Sequence, residues 1–177
     1  MIFDPFEKAM ALSDADGLSA FRLQIGGQEP IYLADHREPN GAYIENGLQR
    51  ALALMGELPA KQWILRIDQD PMEPVLTAAN LNRLHLSQPE RVLSRGGFQA
   101  CLWQLPNQPE HFRHLFREII RSEISPMGLE GLCGTVSLLN PDHALIFRLT
   151  DDRSAVFSAV DPSILLKIRD NHGDWIL

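Results

Sequence analysis

Apolar residues recur along this chain in two periods, and the switches between them mark out its elements. Asp4 is placed to cap a first helix, with Pro5 at its first position, Glu7 three residues after the cap, and Phe3, Phe6 and Met10 on its apolar side. Asp14-Ala15-Asp16-Gly17 ends that helix, and alternation of Phe21, Leu23 and Ile25 with Arg22 and Gln24 predicts a strand from Ala20 to Ile25. Gly26-Gly27 is a turn, and Ile31-Tyr32-Leu33 a shorter strand. Tyr43, Ile44, Leu48, Ala51, Leu52 and Met55 have helical spacing from Ala42 to about Leu58, where Pro59 prevents continuation. A strand from Trp63 to Ile67 precedes a loop, Asp70-Pro71-Met72-Glu73-Pro74, and Val75 to Leu86 is predicted helical despite two asparagines.

The second half has the stronger signals. Gly96-Gly97 opens a buried strand from Phe98 to Leu105, and Pro106 and Pro109 introduce a helix from Glu110 to about Ile124 whose Phe112, Leu115, Phe116, Ile119 and Ile120 share one face. Thr135–Leu139 and Ala144–Leu149 are predicted as antiparallel neighbours joined through Asn140–His143. A hairpin turning at Thr150-Asp151-Asp152-Arg153 leads into Ala155–Val160. Asp161-Pro162 starts a last helix with Ile164, Leu165 and Ile168 inward, and Trp175 closes the chain. Strands that follow one another through short turns pair antiparallel, so the expectation is an α+β fold: one domain over 1–177, a mainly antiparallel sheet with helices covering one face.

Composition narrows the function classes. The 177 residues are 45% hydrophobic and 22% charged, as in ordinary globular domains, and no apolar run approaches the roughly 20 residues that span a bilayer. The N-terminus lacks a positive region before an apolar one, so the cytosol is the expected compartment, with no membrane association. Cys101 and Cys133 both fall in apolar segments and are expected as buried reduced thiols, not a disulfide. A net charge of −7 disfavours nucleic acid and favours a basic protein partner.

Four groups are candidates for chemistry. Asp151, Asp152 and Arg153 put two carboxylates and a guanidinium at a hairpin tip, suited to a divalent ion, a basic side chain or a carboxylate ligand, although turn aspartates commonly bond their own backbone. His111, His114 and Glu118 fall within about 60° around one helix, a zinc-compatible set without the His-Glu-x-x-His pattern. Arg113, Arg117 and Arg121 form a basic stripe expected on a solvated face. Asp68-Gln69-Asp70 with Glu73 can supply paired carboxylates, and is otherwise an exposed acidic loop. Phosphate-binding, nucleophile-elbow, Cys-x-x-Cys and dinucleotide motifs are absent, so no cofactor is expected.

The stretch Ala144–Arg153, followed by a strand, a capped helix and Asp174-Trp175-Ile176, resembles a bacterial family of unknown function marked by a Tyr-Asp-Asp-Arg-Gly hairpin and a tryptophan-containing C-terminal helix. The upstream order is similar too: Phe21 to Gly26, a helix containing Arg50, a strand at Trp63, and Phe98 to Leu105 before the long helix. Thr150 and Ser154 stand where that pattern has tyrosine and glycine. The resemblance implies the fold and a bacterial origin, and points to an immunity-like role against a bacterial toxin; Asp151, Asp152, Arg153 and Trp175 are the candidate binding residues in that part of the chain. The expected function is a non-catalytic protein-binding domain using these groups with Asp68 and Asp70. The alternative is a small enzyme or metal-binding protein using His111, His114 and Glu118, or Asp151 and Asp152.

Overall fold

A computed structural model describes residues 4–24, 40–125, 128–132, 135–150 and 154–175. Its elements run α1 (Pro5–Ser13), β1 (Ser19–Gln24), α2 (Gly41–Glu57), β2 (Gln62–Gln69), α3 (Ala78–Leu84), β3 (Arg91–Arg95), β4 (Phe98–Pro106), α4 (Pro109–Ile124), β5 (Val136–Asn140), β6 (Leu145–Leu149), β7 (Ser154–Ala159) and α5 (Pro162–Asn171), then a single 3₁₀ turn, Gly173–Trp175. The strands form one seven-stranded sheet in the order β1-β7-β6-β5-β2-β4-β3, with every neighbouring pair antiparallel. The fold is α+β, as the alternation of periods predicts. Phe3, the Gly26-Gly27 turn, the Ile31–Leu33 strand, Cys133 and the Asp151–Arg153 tip lie outside the described residues.

Local chemistry explains the boundaries. Asp4 Oδ1 accepts from the Phe6 amide at 3.0 Å, satisfying one orphan donor at the start of α1. In α3, Thr77 Oγ1 accepts from the Asn80 amide at 3.2 Å, so the helix begins three residues later than its apolar spacing predicts. It ends on His85 in the left-handed region at φ 56°. β3 is an element the apolar pattern does not announce, because as an edge strand it exposes Val92 and leaves only Leu93 packed at the sheet. Its turn into β4 uses Gly96 and Gly97 at φ 56° and 90°, the two positive values a tight hairpin requires. At the neck of the β6–β7 hairpin, Thr150 Oγ1 lies 2.7 Å from Ser154 Oγ and donates to the Ser154 carbonyl at 2.9 Å. Thr150 and Ser154, which frame the hairpin tip, therefore bond to each other.

The helices cover both faces, not one. α2 to α5 bury the larger core against Leu23, Trp63, Leu65, Ile67, Trp103 and Phe147 of the sheet. Rings of Phe112, Phe116, Phe147 and Phe157 run in sequence through it at centroid distances of 5.9, 5.6 and 4.9 Å. Alternate residues of the same strands, Ile64, Ala100, Leu102, Leu139 and Ile146, turn to the opposite face and receive Phe6, Ala9, Met10 and Leu12 of α1. No described helix is long and apolar enough to cross a membrane.

Candidate functional site

An open cleft of about 750 Å³ lies where β2 ends and β4 begins. The loop after β2 makes one wall. Asp70 Oδ1 accepts from the Met72 amide at 2.8 Å, an aspartate turn that the adjoining Pro71 and Pro74 keep out of helix and ladder. Gln69 Oε1 accepts from the Leu76 amide at 3.1 Å and Asn80 Nδ2 donates to the Val75 carbonyl at 2.7 Å, tying the loop to β2 and α3. Residues 128–131 make the other wall. A Cβ on Gly128 would lie 2.5 Å from the Arg121 carbonyl oxygen, so the chain passes the end of α4 only with glycine there.

Four carboxylates line this cleft: Asp68, Asp70, Glu73 and Glu130. Asp68 is half-buried and accepts from Arg66 Nε at 2.8 Å, while Arg66 Nη1 donates to Ser13 Oγ at 2.7 Å. The other three are exposed and have no cationic partner among the described residues. Val75, Leu129 and Phe98 add apolar surface; Phe98 is 58% exposed, and the adjoining Met72 85%. Sequence order brings Asp68, Asp70 and Glu73 together; Glu130 joins them only through the fold, and no local pattern marks it.

The other candidates are placed apart from the cleft. Glu118 is buried at 4% exposure, accepting from Arg121 Nη1 at 2.8 Å, with Arg83 Nη2 against its other oxygen without a well-aligned hydrogen bond. His114 stacks on His85 at 3.5 Å between ring centroids, and His111 bonds the Gln108 side chain at 3.2 Å. Burial, then the neighbouring His85 and Arg117, holds the His114 imidazole below its ordinary 6.5. Among the described residues, no three histidine, cysteine or carboxylate side chains are grouped to hold a metal ion. The basic stripe is not a solvated face. Arg117 donates to Glu45 at 3.0 Å and Arg113 lies 3.7 Å from it, so the stripe closes the seam between α4 and α2.

Trp175 docks on α2, with the Arg50 guanidinium 4.8 Å from its ring centre and His172 tilted against it at 4.3 Å. His172 in turn meets Glu57, which also accepts from Asn171 at 2.9 Å. Burial alone would raise the Glu57 carboxyl; the bonds from Asn171 and His172 outweigh it and hold the group below its ordinary 4.5. These contacts anchor the C-terminal turn to the body of the protein. Cys101 is a buried free thiol, pushed up chiefly by that burial.

No curated protein and no solved structure matches the chain. A family model matches residues 20–177, from β1 through the C-terminal turn and leaving α1 outside. The chain belongs to the family described as a domain of unknown function, DUF3885.

Proposed function

We propose that this chain is a non-catalytic protein-binding domain of the bacterial cytoplasm, and that its acidic cleft receives a basic segment of a partner in the manner of an immunity protein meeting a toxin. The observation that carries the reading is the set Asp70, Glu73 and Glu130 on one open cleft, each without a cation among the described residues, beside the exposed side chains of Met72 and Phe98. Apolar anchors with a charged rim suit a protein surface better than a small substrate. Carboxylates spread along a cleft attract lysine and arginine and speed encounter with a basic partner. The net charge of −7 acts in the same sense.

The test is capture from the native host with the full chain, alongside the triple variant Asp70→Asn, Glu73→Gln, Glu130→Gln. The reading expects a basic partner that the parent retains and the variant loses, with retention falling as salt rises. Equal capture by the variant, or no stable protein partner together with a neighbouring gene that encodes no toxin, overturns it.

A further inference from the structure

The α1 face of the sheet carries arginines in a single row across the strands. Register places Arg22 of β1 and Arg148 of β6 opposite the same residue, Val156 of β7. Leu138 pairs with Phe147, which sets Ser137 beside Arg148, and Ser137 pairs in turn with Arg66; Arg66 and Arg91 both pair with Leu102. Residues of one such row share a face, and the flanking Leu23, Phe147, Leu149 and Phe157 point into the larger core on the other. The row is divided by α1. Under the helix, Arg66 is held by Asp68 and Ser13, and Arg91 Nη2 reaches Asp4 Oδ2 at 2.5 Å.

Beyond α1 the pattern changes. Arg22 is exposed and Arg148 is half-buried, and neither has a carboxylate within 4 Å among the described residues. Arg148 Nε donates to Ser137 Oγ at 3.0 Å, a neutral partner that leaves its charge unbalanced among the described residues. In a chain with 23 acidic and 16 basic residues, carboxylates are abundant, and the arginines of α3, α4 and α5 each have one. A half-buried guanidinium without an anion is unfavourable, so Arg148 stands out as half of a contact, and Arg22 adds a second, exposed guanidinium across Val156.

We infer that Arg22 and Arg148, with Val156 between them, form a second docking surface that takes an acidic, extended segment of a protein. Two strands apart, their Cα atoms are separated by about 10 Å. Same-side residues of an extended peptide repeat about every 7 Å, a spacing that two arginine stems can converge to meet. Each guanidinium presents a planar fork that a carboxylate accepts in two parallel bonds. Val156 supplies an aliphatic contact between them. Nucleic acid is disfavoured because a phosphate backbone is held by neutralising many successive charges, and this surface offers two cations in a chain of net charge −7, a number that suits two carboxylates of a short segment. The surface is independent of the cleft reading: one site takes acid and the other takes base, so either can fail alone.

Chemical-shift titration of the full chain, ¹⁵N-labelled, with hexaglutamate and separately with inorganic phosphate tests the inference. Hexaglutamate is expected to shift the amides of Arg22, Val156 and Arg148, and Arg22→Glu to weaken that binding at least about tenfold. Arg148→Gln is expected to act similarly; Arg22 is exposed, so its variant remains informative even if Arg148→Gln disturbs folding. Hexaglutamate shifts that miss these residues or survive in Arg22→Glu overturn the inference. Equal shifts from phosphate at the same concentration also overturn it, by showing a small-anion site in place of a protein surface.

Discussion

The seams that α4 makes with α2 and α3, and the cleft at the end of β2, both gather charged groups, arranged to opposite effect. In those seams Glu45 of α2 meets Arg113 and Arg117, and Glu118 meets Arg83 of α3 and Arg121, so each of these charges has an opposite partner within the protein. In the cleft, only Asp68 has a described cation, and Asp70, Glu73 and Glu130 face open space. Charges already balanced by their neighbours support the fold. Charges of one sign left together on a concave surface create a field that an external group can satisfy. The distinction lies in what the chain brings opposite each group, not in the group itself.

The largest expected effect belongs to these seams. Glu118→Ala removes a carboxylate with 5% side-chain exposure from its contacts with Arg83 and Arg121, which should lower stability by about 3 kcal/mol, read as an earlier urea midpoint. The corresponding change in the cleft, Glu73→Gln, should stay within about 0.5 kcal/mol, since an exposed carboxylate without a partner supports nothing internally. Equal effects at the two positions would erase the contrast.

Acid sharpens the comparison next. Glu45 is held below its ordinary 4.5 first by the Gln49 hydrogen bond, against an opposing effect of burial, and then by Arg117; Glu57 is lowered as well. A lowered carboxylate releases its proton more readily folded than unfolded. Its stabilisation is therefore present above pH 4.5 and lost as pH falls through the folded value. Urea midpoints should hold above about pH 5 and drop toward pH 3, and the double variant Glu45→Gln, Glu57→Gln should flatten that drop. An unchanged acid limb in the double variant would place the lability elsewhere.

The smallest effect concerns His114, lowered by burial and then by its stacked neighbour His85. The folded state binds its proton less readily than the unfolded chain, so this group supports stability above 6.5 and withdraws that support as pH falls below it. Its imidazole should titrate below 6.5 by NMR, and His85→Gln should move the midpoint upward. A midpoint unmoved by that substitution would show that the stack contributes nothing to the shift.

Much of the fold is legible in the sequence wherever one period dominates. α2 and α4 are flanked by prolines and carry sustained helical stripes, so both appear within a residue or two of prediction. β3 escapes because an edge strand buries too little to show alternation, and α1's position opposite the other helices cannot follow from its own apolar stripe, which fits either face. The arginines of α4 show why charge patterns alone mislead: a four-residue repeat is the same whether it meets water or Glu45 on another helix. Half of the candidate site follows from chain order, since Asp68, Asp70 and Glu73 belong to one segment. Glu130 and Phe98 reach it through sheet pairing and the close passage at Gly128, which are tertiary events.

The account rests on the cleft being a receptor for positive charge, and titration of the ¹⁵N-labelled full chain with hexalysine tests that directly. It predicts shifts confined to the amides of residues 68–75 and 128–131, suppressed by salt and lost when Asp70, Glu73 and Glu130 are neutralised together. Hexalysine shifts spread elsewhere, or undiminished in the neutralised variant, would contradict it.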